Sequence, residues 1–295
     1  RIAALLSLSN LLCSIYTYGK VIMSIRILYI GEIVGKAGVY CVKQALPKLK
    51  QELGINFVVA NGEGATGGFG IGKNHSIYLH KLGIDVITSG EKIYFKKDMV
   101  PHIGKSPYIL RPANYPPSNP GRGWRVYQVG EQKIGVITLL GQSSFNRVHL
   151  SNPFTFLPEL VARVKEETNL VIVDFHASTT AEKYSMFHHA DGMVSAVIGS
   201  HTKVLSADEH IKAKGTGVIC DSGRTGSFMS VGGLDPTIEI GQFLTQIPER
   251  SKEYWETLEL QGVIIDINDQ GKTEHIERLK YPVEGTEGEK NGNDQ

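Results

Sequence analysis

Short, nearly unbroken runs of β-forming apolar residues recur along this chain, each closing on a glycine or a polar residue before a helical pattern begins. They are Ile25–Ile30, Phe57–Ala60, Val86–Thr88, Lys133–Leu139, Leu170–Asp174, Gly192–Ile198 and Gly217–Cys220. Strands that lack polar alternation must be covered on both faces, as in a parallel sheet flanked by helices. Helical patterns lie at Val39–Glu52, Lys73–Leu82, Phe156–Thr168, Thr180–His189 and Thr237–Thr245. This alternation predicts an α/β architecture. Near the end, Leu258–Asn268 and Thr273–Lys280 flank Asp269-Gln270-Gly271 and predict a hairpin that adds a late antiparallel piece.

The chain has 295 residues, 41% of them apolar and 21% charged, enough to bury a sizeable core. No linker rich in Pro, Gly or Ser divides it, so residues 23–284 read as one domain. A formal charge of +1 and the lack of a long Lys/Arg run exclude a global field for holding a polyanion. Cys13, Cys41 and Cys220 are too few and too scattered for a disulfide framework or a zinc cluster, which points to a reducing, cytoplasmic setting. The apolar stretch Ala3–Tyr16 is too short and interrupted to span a bilayer, and no membrane contact is expected. Met23 sits just before the first strand, so residues 1–22 are expected to be an upstream extension or a disordered leader, with a targeting segment as the alternative. The polar, Gly-rich tail 285–295 is expected to be disordered.

Ligands of open α/β sheets sit outside the carboxyl ends of the strands. At those ends this chain carries Gly31-Glu32-Ile33-Val34-Gly35, Asn61-Gly62-Glu63-Gly64, Ser89-Gly90-Glu91-Lys92, Asp174-Phe175-His176-Ala177 and Gly199-Ser200-His201-Thr202-Lys203. Taken singly, a glutamate after a glycine turn is an ordinary solvated residue, and a lone histidine an ordinary hydrogen-bonding group. Five such segments at successive strand ends point to one site. The glycine-rich stretch Gly62–Gly70 lacks the Gly-Lys-Ser/Thr ending of a P-loop and reads as an active-site loop. His188-His189, at a helix end, reads as a capping or surface pair before it reads as a ligand.

In this order the five segments, together with Leu110–Pro116 and with Thr225-Gly226 after Asp221, resemble the motif series of the YmdB-like metallophosphoesterases over nearly the whole chain after Met23. The resemblance implies a calcineurin-type, four-layer α/β/β/α sandwich holding two metal ions, with 2′,3′-cyclic nucleotides among the substrates and a homo-oligomeric assembly. It also exposes departures. Glu32 stands where the family has Asp, and Gly64 where it has Asn. Glu91 replaces an Asn ligand, Lys92 replaces the proton-donating His, and Lys203 replaces a metal-binding His. By resemblance, one metal position keeps Glu63, Glu91, His176 and His201, a set that suits Mn, Fe or Zn. The other keeps only Glu32 and Glu63, and Lys203 is expected to stand in for the missing ion's charge.

At most one divalent transition metal is therefore expected, with the second absent. Asn114 and Tyr115 would line a nucleotide pocket by resemblance, or else only shape the loop between prolines. Lys92 could donate a proton only if burial lowered its pKa from about 10.4. Two functions follow from the resemblance. One is a catalytically impaired, pseudoenzyme-like protein that binds a phosphate-bearing ligand or a protein partner. The alternative is an active single-metal phosphodiesterase that hydrolyses 2′,3′-cyclic nucleotides or related phosphoesters.

Overall fold

The computed structural model describes residues 24–145 and 150–285. The expectations for residues 1–22, for 286–295 of the tail and for Cys13 lie outside the described residues. The first half runs β1 (Ile25–Ile30), β2 (Glu32–Ile33), α1 (Gly35–Glu52), β3 (Phe57–Asn61), α2 (Lys73–Lys81), β4 (Val86–Thr88) and α3 (Met99–Ile103). The second runs β5 (Trp124–Val129), β6 (Gln132–Leu140), α4 (Pro153–Lys165), β7 (Val171–His176), α5 (Thr180–Ala190), β8 (Ala196–Ser200), β9 (His210–Ile211) and β10 (Gly217–Ile219). It closes with β11 (Arg224–Ser227), α6 (Pro236–Thr245), β12 (Leu258–Ile267) and β13 (Thr273–Val283).

Two sheets result. One has the order β2-β11-β12-β1-β3-β4, with β13 also paired to β12, and the other the order β5-β6-β7-β8-β10-β9. In the first, β1, β3 and β4 run parallel. In the second, β6, β7, β8 and β10 do the same. All of these strands deliver their carboxyl ends to one rim. The late hairpin is present, and β12 enters antiparallel to β1, with Ile25 opposite Ile267 and Ile30 opposite Gly262.

Side-chain alternation along the strands sets the layers. Ile25, Ile27 and Tyr29 of β1, with Phe57 and Val59 of β3, meet Ile134, Val136, Ile172 and Ile198 of the second sheet, forming the core between the sheets. The intervening residues Leu28, Ile30, Val58 and Ala60 turn outward onto Cys41, Val42, Ala45 and Leu46 of α1. On the opposite face, Ile137, Leu139, Val173 and Phe175 pack on Leu157 and Val161 of α4 and on Met186 and Phe187 of α5. Each fully buried Leu, Ile or Phe contributes roughly 1.5–3 kcal/mol, so the continuous apolar runs are the main force holding the two sheets between their helices. The four-layer α/β/β/α sandwich is thus the architecture of this chain.

Some elements were not foreseen. The two-residue strands β2 and β9 and the four-residue β11 are shorter than any periodic signal, and β5 is a half-buried edge strand. Helix α4 starts three residues earlier than its apolar period suggests, because the Asn152 side chain accepts from the Phe154 N–H at 2.9 Å and Pro153 opens the helix. Strand β7 extends past Asp174 to His176, pairing Leu140 with His176, so that His176 is held by the sheet itself. His189 lies against the Phe154 carbonyl at 2.8 Å, which is a structural role. No helix among the described residues is long and apolar enough to cross a membrane.

Candidate active site

The rim gathers four of the five predicted segments around one imidazole. His176 ends β7 fully buried, and its Nδ1 lies 2.9 Å from Ser200 Oγ at the end of β8. Ser200 donates its hydroxyl hydrogen to Asp174 Oδ1 at 2.6 Å, so its oxygen is left to accept from His176 Nδ1–H. Asn61, at the end of β3, donates to the other Asp174 oxygen at 3.2 Å. This buried Asn61-Asp174-Ser200 chain holds the ring with Nδ1 protonated and turns Nε2 toward the rim, where its own proton is donated to Glu91 and would have to leave before the nitrogen could hold an ion. None of the three was assigned a role from sequence, although all lie inside the quoted segments.

Around Nε2 the donors converge. Glu91 Oε2 lies 3.0 Å from it and His201 Nδ1 3.1 Å, with 3.9 Å between Glu91 and His201. Glu91, His176 and His201 thus form one donor group, all within 4.8 Å of one another. Donors held by a four-coordinate ion at about 2.0–2.1 Å sit roughly 3.3 Å apart, so an N₂O set spaced this way fits a divalent transition metal. Burial and the neighbouring His176 push the His201 imidazole down to about 3, which keeps its lone pair available. Burial opposes ionisation of Glu91, yet the hydrogen bond and charge of His176 and the ammonium of Lys92 hold it well below the usual carboxylate range. Phe145, missed in the sequence, walls the site with its ring centroid 5.0 Å from that of His201.

Glu63 stands behind the donor group. Its two oxygens accept the backbone N–H groups of Gly90, at 2.6 Å, and of Lys92, so it buttresses the turn that carries Glu91 and is not one of the three grouped donors. Burial, reinforced by the Glu91 charge, pushes Glu63 up to about 7. Gly90 can only be glycine here, because a Cβ would enter the His176 ring. Lys92 pairs with Glu91 through its ammonium. Burial would lower its pKa, but the carboxylates of Glu63, Glu91 and Glu32 outweigh burial and raise it. This is the opposite of the direction in which an ammonium would move to serve as a general acid near neutrality.

Lys203 Nζ lies 3.2 Å from Oε1 of Glu32, which is 1% exposed and accepts no hydrogen bond from any described residue. A buried carboxylate without donors requires a compensating cation. Lys203 and His201 both sit on left-handed backbone, at φ 61° and 100°, strained values for non-glycine residues. Asp221 holds the loop between them: its Oδ2 accepts from Thr202 N at 2.9 Å, from Thr202 Oγ1 at 2.6 Å and from the fully buried Lys183 ammonium at 2.9 Å. Asn114 is taken up by the backbone around it. It is 1% exposed, both amide hydrogens go to the carbonyls of Leu140 and Ser151, and its oxygen accepts from Leu140 N. Tyr115 is nearly buried and donates to the Glu91 carbonyl at 3.4 Å.

Gly64 and Glu32 fit as a pair, since a Cβ on Gly64 would lie 2.8 Å from Glu32 Oε1. Gly64→Asn alone should destabilise the fold by about 1–3 kcal/mol through overpacking. In a Glu32→Asp background the shorter side chain withdraws the oxygen, and the cost should fall by at least about 1 kcal/mol. Urea unfolding of the four proteins in this cycle measures the coupling; additive effects would mean that the two positions are independent.

A family model described as YmdB-like protein matches residues 28–279. The 2′,3′-cyclic-nucleotide 2′-phosphodiesterase of Bacillus subtilis is 38% identical over 255 residues, covering 86% of this chain and 96% of that protein. A crystal structure of a novel phosphatase from Mycoplasma pneumoniae superposes with a TM-score of 0.83 at 32% identity, over 88% of this chain and 94% of the other. A hypothetical protein from Thermus thermophilus gives 0.82 at 28% identity, over 88% and 100%.

Proposed function

Because the chain belongs to the YmdB-like protein family, a phosphoesterase family with a phosphodiesterase among its relatives, we propose that it is a single-metal phosphodiesterase acting on 2′,3′-cyclic nucleotides or related phosphoesters. The observation that carries this reading is the Glu91-His176-His201 donor group, oriented from behind by Ser200 and Asp174. Those three residues would hold one divalent ion, Mn, Fe or Zn. When bound, such an ion supplies Lewis-acid polarisation of a phosphoryl oxygen.

The protein's own groups do the rest. The cations of Lys92 and Lys203 flank the rim and attract the phosphate's negative charge as point charges. Glu63 holds the Gly90–Lys92 turn, and Phe145 shields the imidazoles from bulk water. Lys203 occupies, beside Glu32, the charge-neutralising position that a second ion takes in the family pattern. With its pKa raised, Lys92 is a weak acid toward the leaving oxygen, and turnover should be slow relative to a two-metal site.

Metal analysis and hydrolysis of 2′,3′-cyclic AMP on the same preparation test the proposal. The expected result is close to one transition metal per chain, activity abolished by chelator and activity restored by Mn²⁺. A folded, metal-free and inactive protein that still binds 2′,3′-cyclic AMP would instead support the binding-only, pseudoenzyme-like reading.

A further inference from the structure

Away from the rim, between β5 and α4, lies a cavity of about 620 Å³ whose lining includes none of the donor residues above. Its size falls in the range of small-molecule sites. Four arginines contribute to it, Arg111, Arg122, Arg125 and Arg163, against the single carboxylate Glu167, which lies 3.7 Å from Lys133. Arg111 is 5% exposed, and its Nε, itself closed to solvent, has no acceptor among the described residues, so an anion entering the cavity would have to meet the guanidinium at its other edge. Its Nη1 donates to the Pro112 carbonyl at 2.8 Å, and no carboxylate among the described residues pairs with it. Burial pushes its pKa down, with only Tyr94 and Tyr115 opposing. A desolvated guanidinium with an idle N–H and no counter-charge is costly to retain unless an anion joins it. Beside it, Trp124 and Phe156, both partly buried against the core, give the cavity aromatic lining.

We propose that this cavity is a second ligand site, taking a nucleoside monophosphate with its phosphate on Arg111 and its base against Trp124 and Phe156. A planar guanidinium fork matches a phosphate's oxygens, while the rim arginines supply attraction without contact geometry. The aromatic lining distinguishes such a ligand from a bare anion. The site is independent of the hydrolytic reading, since it shares no residue with the donor group.

Isothermal titration of the full chain with AMP tests it. AMP should bind saturably to the wild type and equally to His176→Ala, whose rim site is damaged. Arg111→Gln should weaken binding at least about tenfold, and Arg163→Gln, an exposed position that carries no folding risk, by about threefold. Adenosine and inorganic phosphate should each bind at least about tenfold more weakly than AMP. The proposal is overturned by absent saturation in the wild type, by loss of binding in His176→Ala, or by phosphate matching AMP. Wild-type affinity in Arg163→Gln, or in a folded Arg111→Gln, overturns it equally.

Discussion

His176→Ala should lower metal affinity and the rate of cyclic phosphodiester hydrolysis by at least about 100-fold each, the upper end of what loss of a mere supporting residue costs a metal site. The ring is the hub of the rim, with Nε2 facing Glu91 and His201, and Nδ1 resting on Ser200. Removing it leaves two donors of three and releases Glu91 from its hydrogen bond. His201→Ala is the matched comparison, because its side chain is 25% exposed and can be truncated with little effect on packing. Competition against a chromophoric chelator gives metal affinity, and urea unfolding separates a lost donor from a lost fold. A stably folded His176→Ala protein with full metal and full activity would show that the ion, and the chemistry, reside elsewhere.

Lys183→Ala should be the most destabilising single change at the site, by about 3–5 kcal/mol, because it strips the cation from a buried pair and leaves Asp221 charged without its counter-ion. Lys183 and Asp221 side chains are 1% and 2% exposed, and the ammonium lies 2.9 Å from Oδ2. The same oxygen ties down Thr202, between two residues on strained backbone, so the loss reaches the donor loop as well. For a chain of this size the melting temperature should fall by roughly 10 °C. Pairing Lys183→Met with Asp221→Asn should recover part of the loss, since no charge stays buried and the amide oxygen can still accept from Thr202, while the amide nitrogen no longer accepts from the Gly223 N–H. A single variant within about 0.5 kcal/mol of wild type would mean that the pair is not what holds the loop.

The layers were legible because parallel strands must be apolar on both faces: Leu28 and Ile30 face helices, Ile27 and Tyr29 face the other sheet, and the run between them could mean little else. Short strands such as β2 were invisible, since two residues carry no period. Helix α1 begins at Gly35 and not at Val39 because Glu253, far along the chain, accepts from the Lys36 N–H at 2.8 Å. Among site residues, Glu91, His176 and His201 come from the segments ending β4, β7 and β8, and the fold brings the three together. Glu63 sat in the right segment, but only the fold reveals that Gly90 and Lys92 N–H groups claim its oxygens. Lys183 carried no signal at all, because a lysine in mid-helix ordinarily faces water and only the position of Asp221 explains its burial.

The placement of β12 beside β1 also has a temporal side. Arg26 meets Asp266 across 240 positions, a span that makes closure slow and entropically expensive. On a chain growing from the ribosome, β1 therefore waits for one of the final strands before its second edge is covered, and an open strand edge invites pairing with neighbouring nascent chains. A hairpin that contributes no donor to the rim thus decides when the rim comes into existence.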